Sequence, residues 1–308
     1  MSAKIAVIQA PPVLLHRDKT IARVVSSIEQ VAGAGVSLIV FPEAYVPGYP
    51  TWVWRLQPGG DMRLSSEIHA RLRANAVDLS KGDLKPVQEA AAKHGATVVL
   101  GIHEIDSTFS GTTLLNCVVV IGRDGALLNR HRKLMPTNPE RMVWGMGDAS
   151  GLRVVDTPAG RLGSLICWES YMPLARYALY AQDIQIYVAP TWDTGESWIA
   201  SMRHIAKEAG CWVIGTATAM QGSDVPDDIS RPRQVVQGGG MDQRWRCRGG
   251  QTRRRDCGRA ADEAEGDSLC RDRCGSCAAR SPVARRLRSL LAPRCVSVLS
   301  QPQAAPSG

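Results

Sequence analysis

The chain has 308 residues, 44% of them hydrophobic and 21% charged, enough for one large domain with a substantial core. No apolar run approaches the roughly 20 residues that span a bilayer, and Met1 to Ile8 is too short for a signal peptide, so a cytoplasmic, reducing setting away from membranes is expected. The net charge of +8 does not mark a nucleic-acid binder, because residues 1–229 hold 21 Lys+Arg against 22 Asp+Glu and the excess lies wholly after them.

In chain order, Lys4 to Gln9 alternates as a buried strand, and Asp18 to Ala32 carries Ile21, Val24, Val25, Ile28 and Val31 at helical spacing. Asp18 is the expected N-cap, and Gly33 and Gly35 stop that helix. Ser37 to Phe41 is a buried strand. Met62 to Ala76 and Leu84 to His94 are expected helices, the second ended by Gly95. Ala96 to His103 and Leu114 to Ile121 read as strands, and Arg123-Asp124-Gly125 turns the chain into another strand running towards Lys133. Leu152 to Val155 and Leu162 to Ile166 suggest a hairpin around Pro158-Ala159-Gly160. Pro173 to Ala181 is a helix, Ile184 to Ala189 a strand, Ser197 to Ala209 a helix and Cys211 to Thr216 a strand. Strands alternating with helices give an α/β class. A dinucleotide-binding sheet is disfavoured, since no G-x-G-x-x-G follows the first strand.

Residues 230–308 differ in kind. They hold 16 Arg, no Lys and 7 acids, lack His, Ile, Phe, Tyr and Asn, and contain six of the nine Cys. Such a segment buries little apolar surface. A basic nucleic-acid arm is one reading, weakened by Trp245 being its only aromatic. A zinc site from Cys270, Cys274 and Cys277 is another, without a fourth ligand pair. The third reading is translation out of frame from near Ser230. Codons for Met241 to Gly250 read one nucleotide later can spell WINGGDAVV, and those for Gly266 to Arg273 can spell GILYAEI. Both shifted strings have the strand and turn patterns that the actual tail lacks, and this reading is preferred. The domain is therefore placed at 1–229, short of its C-terminal strands, with 230–308 a largely disordered tail.

Three chemically capable residues each follow an apolar run. Cys167 ends Arg161 to Ile166 and precedes a helical pattern, where a helix N-terminus lowers a thiol's pKa and favours thiolate. The bland alternative is an inert packing thiol. Glu43 follows Ser37 to Pro42, and Lys133 lies within Asn129 to Pro136. A Glu, a Lys and a Cys at strand ends suggest one shared site. Cys117 and Cys211 read as core thiols; His103, His131 and His204 suggest no triad, and residues 1–229 show no metal-ligand cluster.

The segments Phe41-Pro42-Glu43-Ala44, His131-Arg132-Lys133-Leu134-Met135-Pro136-Thr137, Pro139 to Asp148 and Leu165-Ile166-Cys167-Trp168-Glu169 resemble the nitrilase (carbon–nitrogen hydrolase) superfamily, within it the nitrile-hydrolysing branch, over about residues 4–229. The resemblance implies a four-layer α-β-β-α sandwich, a small-molecule nitrile substrate, no metal or organic cofactor, and a homo-oligomer, dimer or spiral, without nucleic-acid or membrane partners. It makes Cys167 the nucleophile, Glu43 the general base, Lys133 the stabiliser of developing charge and Glu140 a supporting acid that holds Lys133. Tyr45, Trp52, Trp54, Trp144, Trp168, Glu169 and Trp192 become candidate pocket residues, with the Trp168 backbone N–H as a second candidate donor. Ser170 stands where this branch usually has Asn, and Ala149 where Gly is usual. The alternatives are an amidase of the same superfamily and a catalytically silent chain damaged by a frameshift.

Overall fold

The computed structural model describes residues 3–57, 59–107, 111–193 and 195–229, with the backbone of a further strand at 295–300. Short apolar runs become strands: β1 (Lys4–Gln9), β2 (Leu38–Val40) and β3 (Thr97–Ile105) lie parallel, and β4 (Leu114–Ile121) and β5 (Leu127–Arg132) follow antiparallel. A second sheet holds β6 (Val155–Thr157), β7 (Gly160–Ser164), β8 (Ile186–Thr191) and β9 (Trp212–Ala217) in sequential order, the last three parallel.

The two sheets pack face to face. Ile5, Val7, Leu38, Val40, Val99 and Val120 of the first meet Leu162, Ile186, Val188 and Ile214 of the second. Each fully buried side chain of this size contributes roughly 1.5–3 kcal/mol. On the outer face of the first sheet lie α1 (Arg17–Ala32) and α3 (Lys85–His94), whose buried stripes Ile21, Val24, Ile28, Val31 and Val87, Ala90, Ala91 cover Ile39, Val98 and Val119. On the outer face of the second lie α4 (Pro173–Tyr180) and α5 (Glu196–Ala209), burying Ala175, Leu179, Trp198 and Ile205 against Tyr187 and Ala189. This is the expected helix, sheet, sheet, helix layering. The remaining helix, α2 (Met62–Ala74), packs with Tyr49, Trp52 and Trp144 in a separate apolar cluster.

Several boundaries differ from the sequence reading. The first helix begins at Arg17 behind His16, which makes no side-chain cap; Asp18 lies inside the first turn and pairs with Arg17 Nε at 2.8 Å. The hairpin expected from Leu152 to Ile166 is displaced. Thr157 Oγ1 donates to the Gly160 carbonyl and accepts from Ala159 N, so the ladder forms tightly about the turn at 155–164. Ile166 leaves the ladder because its N–H is taken by the Glu169 carboxylate.

Within the stretch expected to lack regular structure, β10 (Cys295–Ser300) pairs antiparallel with β1. One strand is thus supplied from the tail. The zinc and nucleic-acid readings and the rest of the disorder expectation fall outside the described residues. Among the described residues, no helix is long and apolar enough to cross a membrane.

β2, β3 and β5 share one direction, so β2 and β5 deliver Glu43 and Lys133 from their carboxyl ends at the same edge; Cys167 follows the carboxyl end of β7, and Thr191 closes β8. The carboxyl edge of parallel strands is the usual place for chemistry in α/β folds.

Candidate active site

Glu43 sits in the turn that leaves β2, pressed against β3. A Cβ on Gly101 would lie 2.2 Å from the Pro42 carbonyl and 2.6 Å from Ala44 N, so only glycine admits the turn there. Ala44 takes a positive φ of 49° to complete it. Lys133 follows β5, its N–H donating to the Asn116 carbonyl at 2.7 Å and its carbonyl accepting from Gly147 N at 2.8 Å. Gly147 is equally obligatory, as a Cβ would meet the Arg132 carbonyl at 2.4 Å. Cys167 heads a five-residue 3-10 turn, Cys167–Tyr171, with φ at 52°. Left-handed backbone at a non-glycine residue stores strain of order 1–3 kcal/mol, and such strain clusters where a side chain must be presented.

The structure brings three of the predicted groups into one hydrogen-bonded cluster. Lys133 Nζ donates to Glu43 Oε1 at 2.8 Å and to Glu140 Oε2 at 2.7 Å, and all three side chains are withdrawn from solvent. Glu140 also accepts from Thr137 N at 2.7 Å, closing a capping box on the 3-10 turn Asn138–Met142. Its neighbour Arg141 turns away to the Pro136 carbonyl, so Glu140 is left to the buried cluster. Cys167 lies within the field of this cluster, is 4% exposed, and accepts a hydrogen bond from Thr191 Oγ1 at 3.1 Å.

The electrostatics set the resting protonation. Burial pushes the Glu43 carboxyl up to about 7, against the opposing pull of Lys133. Burial, reinforced by the charge of Glu43, pushes the Cys167 thiol up to about 12, while Lys133 and Thr191 work to lower it. The expected helix-terminal thiolate is therefore corrected: α4 begins only at Pro173, and one 3-10 turn does not offset the desolvation of the sulfur. At rest Cys167 is a thiol that needs a base. Burial works to lower the Lys133 ammonium, but the carboxylates of Glu43 and Glu140 beside it overcome that and hold the group above the ordinary lysine value. Glu43 Oε2 has no hydrogen-bond partner among the described residues, which leaves a buried acceptor open beside the cluster.

Three residues of the cluster escaped the sequence reading. Asn116 Nδ2 donates to Glu43 Oε1 at 2.8 Å, Thr191 donates to Cys167, and Tyr49 Oη donates to Glu140 Oε1 at 2.5 Å. Asn116, an amide inside the otherwise apolar β4, was the one available signal; nothing local distinguishes the other two.

The pocket candidates divide. Trp192 stacks on Tyr49 with centroids 4.5 Å apart, and Trp144 packs edge-on against Tyr49 with its ring 5.7 Å from Lys133 Nζ. Both border the cluster. Trp144 Nε1 donates to His103 Nδ1 and His103 Nε2 reaches the Gly48 carbonyl, so that histidine is a neutral strut, lowered by burial to about 3. Trp52 is buried next to a cavity of about 160 Å³ lined with Leu56, Met62, Ser65 and Met142, to which Glu43, Lys133 and Cys167 do not contribute. Trp54 is half exposed, its indole donating to Tyr49 Oη. Trp168 is 45% exposed and donates to Asp193.

Two candidates are corrected. Tyr45 packs on Phe41 in the core under α1 and α3, because β3 holds the residue after it, Val46, through paired backbone bonds with Gly101 and His103. Glu169 is a clamp rather than a pocket wall. Fully buried, it accepts from Ile166 N at 2.6 Å, Leu134 N at 2.7 Å and His131 Nε2 at 3.0 Å, tying the Cys167 strand end to the residue after Lys133.

The carbon-nitrogen hydrolase family model matches residues 4–250. An aliphatic nitrilase of Sinorhizobium fredii (strain HH103) is 37% identical over 241 residues, covering 76% of this chain and 77% of that protein. A bifunctional nitrilase/nitrile hydratase of Nicotiana tabacum is 36% identical over 226 residues, 73% of this chain but 64% of its own length. Among solved structures, a carbon-nitrogen hydrolase from Helicobacter pylori G27 superposes with a TM-score of 0.57 at 20% identity, covering 78% of this chain and 79% of that one.

Proposed function

The chain belongs to the carbon–nitrogen hydrolase family, and from that premise we propose that it is a nitrilase, converting R–C≡N and two waters into a carboxylate and ammonium. The observation that carries this reading is the solvent-free ammonium of Lys133 held between Glu43 and Glu140 within the field of the Cys167 thiol. A nitrile carbon is a weak electrophile with no leaving group, and a polarizable sulfur suits it better than an alkoxide.

Glu43, through its open Oε2, takes the thiol proton as sulfur bonds to the nitrile carbon, and that proton passes to the nitrile nitrogen to give a thioimidate on Cys167. A first water, deprotonated by Glu43, adds to the carbon; the nitrogen is protonated and departs as ammonia, leaving a thioester. A second water added in the same way releases the acid and restores the thiol. Lys133 faces the charge that develops on nitrogen and then on oxygen, the part played by an oxyanion hole. Glu140 keeps that ammonium in place. Trp144 and Trp192 wall the substrate's organic group.

The reading extends to a homo-oligomer working in the cytoplasm. Tyr171, Leu174 and Tyr177 supply an exposed apolar stripe suited to self-association, and Cys117, Cys167 and Cys211 are free thiols. The reading also keeps residues 1–229 as the hydrolase domain and the tail as an out-of-frame segment.

The test is ammonia release from valeronitrile, benzonitrile and phenylacetonitrile beside the matching amides. Wild type releases ammonia from at least one nitrile, and Cys167→Ala releases none while keeping its melting temperature. Hydrolysis of amides alone makes the chain an amidase; normal turnover by Cys167→Ala removes the mechanism.

A further inference from the structure

We infer that Tyr49 is a positioning residue whose hydroxyl fixes the Glu140 carboxylate so that its other oxygen steadies Lys133 for the chemistry. The inference rests on the roles given above to Glu43, Lys133 and Cys167. Glu140 divides its two oxygens. Oε1 accepts from Tyr49 Oη at 2.5 Å, and Oε2 accepts from Lys133 Nζ and Thr137 N, each at 2.7 Å. Lys133 has three N–H donors; one goes to Glu140 and one to Glu43, which leaves one for a reacting nitrogen or oxygen.

Tyr49 is itself immobilised. It is 1% exposed, its ring is stacked on Trp192 at an interplanar angle of 3°, and its ring edge meets Trp144 at 72°. Its hydroxyl also accepts from Trp54 Nε1 at 2.9 Å, which directs the phenol proton towards Glu140. Burial, and after it the charge of Glu140, raises the phenol well above its ordinary value, so it remains a donor wherever the enzyme works.

Stacking alone asks only for a phenylalanine. A buried tyrosine hydroxyl does require a partner, but this one is spent on the carboxylate that restrains the ammonium. Without it, the terminal torsion of Glu140, which is soft, is fixed by the Thr137 N–H alone, and the oxygen that faces Lys133 is held less firmly.

The variant Tyr49→Phe in the full chain keeps the ring and its stacking but leaves Glu140 Oε1 without its donor, so the chain should stay folded with a melting temperature only a few degrees below wild type. Expected are a fall in kcat of about 10- to 100-fold, the scale of one hydrogen bond to a charged group, and little change in KM. The acid limb of kcat/KM, set by Glu43, should move up, because Lys133 lowers that carboxyl only while it is held beside it. A readout independent of nitrile turnover is the rate of Cys167 alkylation by iodoacetamide, followed on the Cys167 peptide by mass spectrometry. It should slow severalfold, because Lys133 favours the thiolate only while held in place.

In a Glu140→Gln background, Tyr49→Phe should add no further slowing. Wild-type kcat, acid limb and alkylation rate in Tyr49→Phe would overturn the inference, as would full additivity with Glu140→Gln. If wild type hydrolyses no nitrile yet alkylation slows in Tyr49→Phe, the nitrilase reading fails and the role of Tyr49 survives. If nitriles are hydrolysed and the variant matches wild type throughout, the reverse holds.

Discussion

In the proposed mechanism Glu43 works as a base only as a carboxylate, and burial lifts its proton affinity into the neutral range, to about 7. The sign follows directly: as pH falls through about 7, Glu43 takes a proton, the thiol loses its acceptor, and kcat/KM declines. A profile of kcat/KM against pH should place the acid limb near 7; a limb at the ordinary glutamate value, near 4.5, would contradict the desolvated base. At this scale the sequence was informative about identity and silent about support. Pro42-Glu43, Lys133 and Cys167-Trp168-Glu169 stand in contiguous motifs and could be read off directly. Tyr49 and Thr191 reach the site from 91 residues before Glu140 and 24 residues after Cys167. No local pattern records such a meeting. The protonation state of Cys167 was likewise out of reach, since it depends on how dry the sulfur is, and dryness belongs to the packed structure.

Elements with a strong period were legible: β4 spans the predicted Leu114 to Ile121, and the buried stripe of α1 keeps Ile21, Val24, Ile28 and Val31 from the spacing, with Val25 only partly buried and Thr20 and Ser27 added. Elements whose ends are set by side-chain bonds were not. The hairpin of β6 and β7 is displaced because Thr157 and Glu169 compete for backbone groups, a contest invisible to hydropathy. Glu169 shows what such a bond does. Its carboxylate spans from the residue before Cys167 to the residue after Lys133, with His131 donating from β5. In Glu169→Gln an amide N–H₂ must face a backbone N–H, leaving a buried donor unsatisfied at a cost of about 1–3 kcal/mol. Urea denaturation should show that loss together with reduced kcat. A wild-type midpoint would mean that the two strand ends are held by packing alone.

The sandwich leaves β9 as the outer strand of its sheet among the described residues, with Trp212 half exposed. Unpaired edges invite association with other chains. Restoring the reading frame after Ser230 should raise the melting temperature and reduce aggregation in a heated sample; equal behaviour of the two chains would make the basic tail genuine. The layering was legible only through the resemblance carried by the motifs, since strand and helix alternation by itself points no further than an α/β class. The placement of Cys295–Ser300 beside β1 was not, because the short alternation Val296-Ser297-Val298 is outweighed by the Arg-rich, Cys-rich composition of the tail around it. The proposed mechanism makes Glu43, Lys133 and Cys167 one covalent centre. The most direct measurement is mass spectrometry of enzyme acid-quenched during turnover of a nitrile it hydrolyses, comparing wild type with Glu43→Gln. The account predicts an acyl or imidate adduct on the Cys167 peptide of wild type that forms far more slowly in the variant. Turnover with no adduct on Cys167, or adduct formation at an unchanged rate in Glu43→Gln, would contradict it.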